Sequence, residues 1–463
     1  MSKIVYPTLD LFIYNLIEQS GKIEVKINEV YENYWSNLPE RLQQKDFSTE
    51  INHEDTQRLD FNGQIHYGVD GSYSRIMFDD TTCLRYSCSL EKEVDISQIP
   101  STIKELKDFA DLPNTNKLPD NLSSGQLSPH GYLGKTWMIS GWIVPDNSQI
   151  PTHQTAEDIA SRIYKSLIGK QHQHQQKGEF LGATVWEMWS SDTPKTSSLT
   201  NRRWEGIEKD SHVIIIFYPD KQTFAQAAQY CNSWRYLFYC RHKIIWAYEQ
   251  GRELKARLAK QLKQNLIDTD NTTLLKKGLG ELKKDLQTNS KVLSSYIQNI
   301  NLLPIQQNTV AVNLDNYEKQ RQDYFPTEKF LAEFGQIAKN KYQVQLEKDY
   351  LSLNPGLAIL ENVTSTIRGM VEIEQAQRDR NFNNTVAIAG VGLATSQLAS
   401  AVIIAQKPPQ QCTQKCPHFF LTEAFALSFV AGLFASFLAW IIFTLFGRIF
   451  ALFGRIFALF GRK

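Results

Sequence analysis

A chain of 463 residues has room for two to four domains, and its 42% hydrophobic and 21% charged residues give an ordinary globular balance. Its 50 Lys and Arg stand against 49 Asp and Glu, so no global field exists to gather a polyanion, and nucleic acid is excluded as the expected partner.

The run Pro7 to Tyr14 reads as a first strand. Strict alternation at Ile23, Val25 and Ile27 suggests a second, residues 29–44 look helical, and the polar stretch that follows, to Asp60, reads as a loop. Tyr73 to Phe78 and Thr82 to Leu90 alternate on either side of Asp79 and Asp80, a hairpin signal. Ser101 to Ala110 reads as a short helix, and Pro113 to Pro129 as an exposed loop. Lys135 to Val144 is a predicted strand. Thr155 opens a predicted helix with Asp158 in capping-box position, burying Ile159, Ile163 and Leu167. Phe180 to Trp189 and His212 to Tyr218 supply two more strands. Strands and helices mixed at this spacing indicate an α+β or α/β domain over residues 1–220.

After Asp220 the spacing turns helical, giving a predicted stalk over residues 221–380. Phe224, Ala228, Cys231, Trp234 and Phe238 mark one helix face; Leu279, Leu282, Leu286 and Leu293 mark another after a break at Asp268 to Thr272. Pro304, Pro326 and Pro355 are read as helix punctuation, since proline fits a first turn but not an interior. No proline follows Gly356 until Pro408, so one helix is expected to run unbroken through that stretch.

The C-terminal end carries two long uncharged runs. No Lys, Arg, Asp or Glu lies between Arg380 and Lys407, nor between Glu423 and Arg448, and each run exceeds the ~20 residues that cross a hydrocarbon core as a helix. Residues 381–447 are thus expected to form a two-helix transmembrane hairpin. Arg378 and Arg380 before it, with Arg448, Arg455, Arg462 and Lys463 after it, outweigh Lys407 and Lys415 in the loop, which places both termini in the cytoplasm. The start, with Asp10 inside its apolar run, does not read as a cleavable signal, leaving targeting to the hairpin. The expectation is an integral protein of the inner or plasma membrane.

Small residues recur every fourth position in both runs: Gly392, Ser396 and Ser400 in the first, Ala424, Ser428, Gly432 and Ser436 in the second. Such stripes let membrane helices approach closely, so they are expected to face each other or a partner subunit. Thr395, Ser396, Gln397 and Ser400 are candidates for a pore lining or for packing. From Leu445 the chain repeats Leu-Phe-Gly-Arg three times, with Arg448, Arg455 and Arg462 on one stripe, so residues 448–463 are expected to form a basic amphipathic tail meeting anionic lipid. Cys412 and Cys416 fall in the outer loop, where they are candidates for a disulfide or, with His418, a metal; the other four cysteines are expected to be reduced thiols.

Gly134-Lys135-Thr136 fails as a phosphate loop because Pro129 stands where glycine is needed. His172 and His174 sit in a Gln-rich stretch read as a solvated loop, and no nucleophile elbow, His-Glu-x-x-His pair or Cys-x-x-Cys doublet occurs. Neither enzyme activity nor a cofactor is expected. Eight tryptophans before residue 381 are read as core packing between sheet and first helix, with an aromatic groove as the alternative.

This order of parts, an αβ domain, long helices and two C-terminal spans with both ends inside, resembles the CorA family of divalent-cation channels. The resemblance implies a homo-oligomeric ring, a pentamer in that family, acting as a channel. The family's Gly-Met-Asn signature is absent from the loop Gln406 to Gln410, and Gly369-Met370 is followed by Val371 on the wrong side of the span. Magnesium selectivity is therefore not implied. The opening Pro7 to Tyr14 with its hairpin also resembles cyanobacterial proteins of caspase-and-repeat-associated conflict systems, which implies a membrane effector controlled from its cytoplasmic domain through an unknown partner. The competing expectation is a tethered receptor or scaffold whose hairpin only anchors it.

Overall fold

The computed structural model describes residues 2–16, 55–58, 69–109, 132–144, 153–191, 210–268, 277–325, 330–406 and 423–460. The strand expected near Ile23, the helix at 29–44, the loop at Pro113 to Pro129, and Cys412, Cys416 and Arg462 lie outside them. The chain divides into two compact units, one of Met1–Lys263 with Ser295–Leu357, the other of Gln264–Ser294 with Ala358–Lys463.

The first unit is built on a mixed sheet with β1 (Lys3–Leu16) at its centre. Beside β1 lie β4 (Thr81–Leu90) and β6 (Tyr132–Val144), both antiparallel to it. Beyond β4 come β3 (Val69–Phe78) and β2 (Asp55–Arg58), and β5 (Glu93–Asp95) also pairs with β1. Beyond β6 comes β9 (His212–Tyr218), parallel to it, then β8 (Ala183–Trp189) and β7 (His174–Phe180), each antiparallel to its neighbour. Both faces of β1 are covered. Leu9, Leu11 and Ile13 pack with Ile103 of α1 (Ile99–Phe109) and with Ile159, Ile163 and Leu167 of α2 (His153–Ile168). Phe12 and Tyr14 pack on the opposite face with Leu237 and Phe238. Burial on both sides is why this strand reads as a nearly continuous apolar run.

Tyr6 interrupts β1 at φ 53°, where the register with β6 shifts. Opposite lies Gly141: a Cβ there would fall 2.8 Å from Ile4 Cγ2 and 3.1 Å from the Val5 carbonyl, so the bulge and the glycine are coupled. The hairpin at Asp79 and Asp80 forms as the alternation predicts, with Asp79 at φ 47°.

Five local expectations need correction. Within the polar stretch to Asp60 that reads as a loop, Asp55–Arg58 is β2, a strand whose polar residues carry no apolar alternation and which pairs with β3. The run Phe180 to Trp189 is not one strand; Leu181 and Gly182, at φ 51° and 71°, fold the chain into a hairpin, and the Gln-rich stretch becomes β7. Its polar residues hid it because β7 is the sheet's last strand and the polar residues read as a loop. α2 starts at His153, which places Thr155 inside the helix and not at its cap. Helix α3 (Lys221–Ala227) is separated by a 3-10 turn, Ala228–Tyr230, from α4 (Cys231–Asp268), so Ala228 leaves the expected stripe and is exposed. Pro304 lies inside α5 (Leu279–Tyr324). Interior proline costs ~3 kcal/mol, and the buried Ile300, Leu303 and Val310 around it supply packing that offsets this.

The helices after Asp220 in good part complete the sheet's core. Trp234, Phe238 and Ile244 of α4, Val310, Leu314 and Tyr317 of α5, Phe334 of α6 (Ala332–Ile337) and Leu346 of α7 (Val344–Leu353) share one apolar cluster with Ile214, Ile216 and Trp189 of the sheet. Trp137, Trp186, Trp189 and Trp234 are buried in the core, and Trp142 and Trp246 pack half-buried against it, while Trp35 and Trp204 lie outside the described residues. A π-turn, Ala338–Gln343, joins α6 to α7. Asp349 of α7, 1% exposed, binds Arg252 and, at 2.6 Å, Lys255 of α4. Gly178 of β7 meets the base of Phe330, where a Cβ would stand 2.4 Å from Phe330 Cβ. Gly178→Val is therefore expected to lower unfolding stability by about 1–3 kcal/mol in urea titrations.

In the second unit, Leu282 packs with Ile367 and Val371 of α8 (Pro355–Gln406), a 52-residue helix with Pro355 at its first position, roughly 78 Å long. Helix α9 (Glu423–Phe460) has 38 residues, so the basic tail continues it without a break to Phe460 and is not a separate helix. Among the described residues one helix is long and apolar enough to cross a membrane, the Phe425–Ile442 segment of α9, at mean hydropathy 2.2. In the uncharged run of α8, Ser396, Gln397 and Ser400 interrupt the apolar residues.

Candidate functional site

Close approach of α8 and α9 is set by residues without bulk. Gly392 is buried, and a Cβ added to it would come within 3.2 Å of the Gly432 carbonyl and sit on the Ser436 hydroxyl. A Cβ on Gly432 would stand 2.9 Å from both the Gly392 carbonyl and Ser396 Cβ. One turn further, the Ser428 hydroxyl donates to Ser400 Oγ at 3.0 Å, and Ser436 donates to the Gly432 carbonyl of its own helix at 3.0 Å. Six sequence-derived candidates, Gly392, Ser396, Ser400, Ser428, Gly432 and Ser436, thus meet at one crossing. Thr395 is turned to its own helix, donating to the Val391 carbonyl at 2.8 Å, and Gln397 is exposed. Arg448 and Arg455 lie on the last part of α9.

Around that crossing the helix pair presents apolar side chains outward. Only 17% of the Phe425–Ile442 segment is buried; Phe429, Val430, Leu433, Phe434, Phe437 and Trp440 are each more than half exposed. Leaving such side chains in water forgoes on the order of 10 kcal/mol of transfer free energy.

A second constellation was not legible in the sequence. Glu187 of β8, Thr136 of β6, His212 of β9 and Arg241 and His242 of α4 are all at most 1% exposed. Thr136 Oγ1 lies 2.8 Å from His212 Nδ1 and 2.8 Å from His242 Nε2; His212 Nε2 lies 3.1 Å from Glu187 Oε1, and Arg241 donates to the same oxygen at 3.2 Å. When Glu187 is ionised it only accepts, so His212 donates from Nε2, accepts at Nδ1 from the Thr136 hydroxyl, and that hydroxyl accepts from His242. The order Thr-His-Glu has the composition of a nucleophilic triad. Every member of it is completely buried, away from solvent.

The charge balance of this cluster is unusual. Besides its contact with the Glu187 carboxylate, Arg241 stacks on the ring faces of Phe334 at 4.2 Å and Trp189 at 5.2 Å. Glu187 Oε2 has no hydrogen-bond partner among the described residues, and burial pushes this carboxyl up to about 7 despite the neighbouring Arg241. Burial, with Arg241 and His242 nearby, holds His212 well below its ordinary value. On the rim, His174 stacks on Trp189 at 5.2 Å, with Nδ1 3.3 Å from Glu333 and Nε2 3.2 Å from Ser191, so it is structural and not loop-borne. His172 sits edge-on to Tyr164, and burial lowers its pKa. Among the described residues no three His, Cys, Asp or Glu converge as a metal site.

No protein-family model matches the chain, and no curated protein matches it.

Proposed function

We propose that the chain is an integral membrane protein that assembles with copies of itself into a channel or membrane-permeabilising effector, controlled by its sheet-bearing unit. The observation that carries this reading is the Phe425–Ile442 segment, apolar at mean hydropathy 2.2 yet only 17% buried. A core helix of a soluble protein would be covered; this one needs lipid. The uncharged run of α8, locked to α9 through Gly392 and Gly432, serves as the second leg of the hairpin, its polar groups sheltered by a protein partner as membrane helices require. The arginines flanking both runs support cytoplasmic termini. A lining without fixed charge would pass ions with little selectivity.

The anchor reading draws on the same segment, since among the described residues one helix is long and apolar enough to cross a membrane. Reconstitution separates the two. The full chain, purified in mild detergent and placed in liposomes, is expected to sediment as an oligomer and to release a small entrapped dye. A monomer that leaves the dye in place would make the chain a tethered scaffold.

A further inference from the structure

Glu187 and Arg241 are joined by half of what their shapes allow. Arg241 Nη1 donates to Glu187 Oε1 at 3.2 Å, yet Glu187 Oε2 and Arg241 Nε and Nη2, all buried, have no hydrogen-bond partner among the described residues. A guanidinium and an ionised carboxylate ordinarily close two parallel bonds. Here the guanidinium lies instead on the ring faces of Phe334 and Trp189. Such a one-bond contact suits a protonated carboxyl, with Oε1 accepting from Arg241 and His212 and the proton on Oε2. Burial pushes this carboxyl up to about 7 against the pull of Arg241, and the charge of Glu333 adds to the push.

Other titratable groups face the pair from each element packed on it: His242 of α4, His212 of β9, Tyr317 of α5, Glu333 of α6 and Tyr164 of α2, with His174 of β7 on the rim. Burial holds His212 low and the Tyr317 and Tyr164 hydroxyls high, so these three stay neutral near pH 7. The element that the pair's charge reaches is α6. It has six residues, is entered through Leu331 at φ 64°, and is held by Phe334 beneath Arg241 and beside Tyr317, by the Tyr317 hydroxyl donating to the Leu331 carbonyl at 2.9 Å, and by Glu333 beside His174 at 3.3 Å. Ionising Glu187 acts on α6 twice in one direction, drawing Arg241 off Phe334 and setting a second negative charge near Glu333.

We propose that Glu187 and Arg241 form a proton switch: protonated Glu187 leaves Arg241 stacked on Phe334 and α6 held down, and loss of the proton turns Arg241 into a two-bond pair with the carboxylate and loosens α6. The step is a proton transfer alone, from Glu187 Oε2 to solvent base, after which an Arg241 N–H donates to the freed oxygen. It lies within the sheet-bearing unit and does not rest on the membrane reading. The held form carries the proton, so opening of α6 rises by up to about ten-fold per pH unit as pH climbs toward 7 and levels off above it.

Hydrogen exchange of the full chain in detergent, corrected for the intrinsic pH dependence of amide exchange, reads α6, and infrared difference spectra follow the protonated carboxyl. In the unsubstituted chain the amides of Ala332–Ile337 are expected to lose at least about ten-fold in protection from about pH 5.5 to about pH 7.5. A protonated-carboxyl band, absent in Glu187→Gln, should fade near pH 7. Glu187→Gln, uncharged at every pH, should keep α6 protected at the higher pH. Phe334→Leu, which takes away a ring beneath Arg241 and serves where Glu187→Gln does not fold, should loosen α6 already at the lower pH and move the loss of the band toward acid. Unchanged protection of α6 over this range in the unsubstituted chain, the same fall in Glu187→Gln, a band already lost by about pH 5, or a band that Phe334→Leu leaves in place would each overturn the proposal.

Discussion

Glu187→Gln and His212→Gln are expected to give pH dependences of stability with opposite signs in mild acid. Glu187 has a folded pKa raised from 4.5 to about 7, so the stability tied to its protonated form is complete below pH 4.5 and is lost as pH rises through 7. His212 is depressed well below 6.5, so its contribution is present above pH 6.5 and is lost as pH falls below that value. Between pH 4.5 and 6.5 the two terms oppose each other. There the unfolded chain carries the proton on histidine while the folded chain carries it on the carboxyl, and the net uptake is close to zero.

Removing either partner exposes the other. In Glu187→Gln the histidine acts alone, and stability should fall toward acid by about 1.4 kcal/mol per pH unit for one proton. In His212→Gln the carboxyl acts alone, and stability should fall by a similar slope as pH rises over the same window. Urea unfolding of the full chain in detergent, followed by fluorescence of the buried Trp186, Trp189 and Trp234, reads both. Parallel slopes in the two variants would show that Glu187 and His212 are not the groups that exchange the proton.

Gly392→Leu should have the largest effect on the second unit. A side chain there must displace the Ser436 hydroxyl and the backbone of Gly432, and backbone cannot yield as a flexible side chain does. Separating the helices also breaks the Ser428 to Ser400 hydrogen bond, worth about 1 kcal/mol beyond the lost packing. The expected outcome is loss of the oligomer and of dye release, while Lys283→Ala, at an exposed position, leaves both unchanged. An oligomer of undiminished stability in Gly392→Leu would show that this crossing does not support assembly.

Where one element's pattern is decided by its own residues, the sequence alone determined the outcome. β1, the Asp79 and Asp80 hairpin and the buried face of α2 follow from alternation, turn chemistry and 3.6-residue spacing, which are local properties. The unbroken α8 follows from the absence of proline between Gly356 and Pro408, and the two small-residue stripes were visible as four-residue repeats before any partner was known. Tertiary structure decided the rest. β7 carries no apolar alternation because its strand character comes from pairing with β8, and Pro304 survives inside α5 because packing around it offsets the lost hydrogen bond. The helices after Asp220 carry ordinary amphipathic spacing, which says that they have a buried face but not that a sheet covers it. Above all, Thr136, Glu187, His212 and Arg241 come from four separate elements, spaced over more than a hundred residues. No spacing rule links them, since each was brought to the others by the order of strands in the sheet and the seating of α4 upon it, and only burial together turned ordinary side chains into a coupled, water-free cluster.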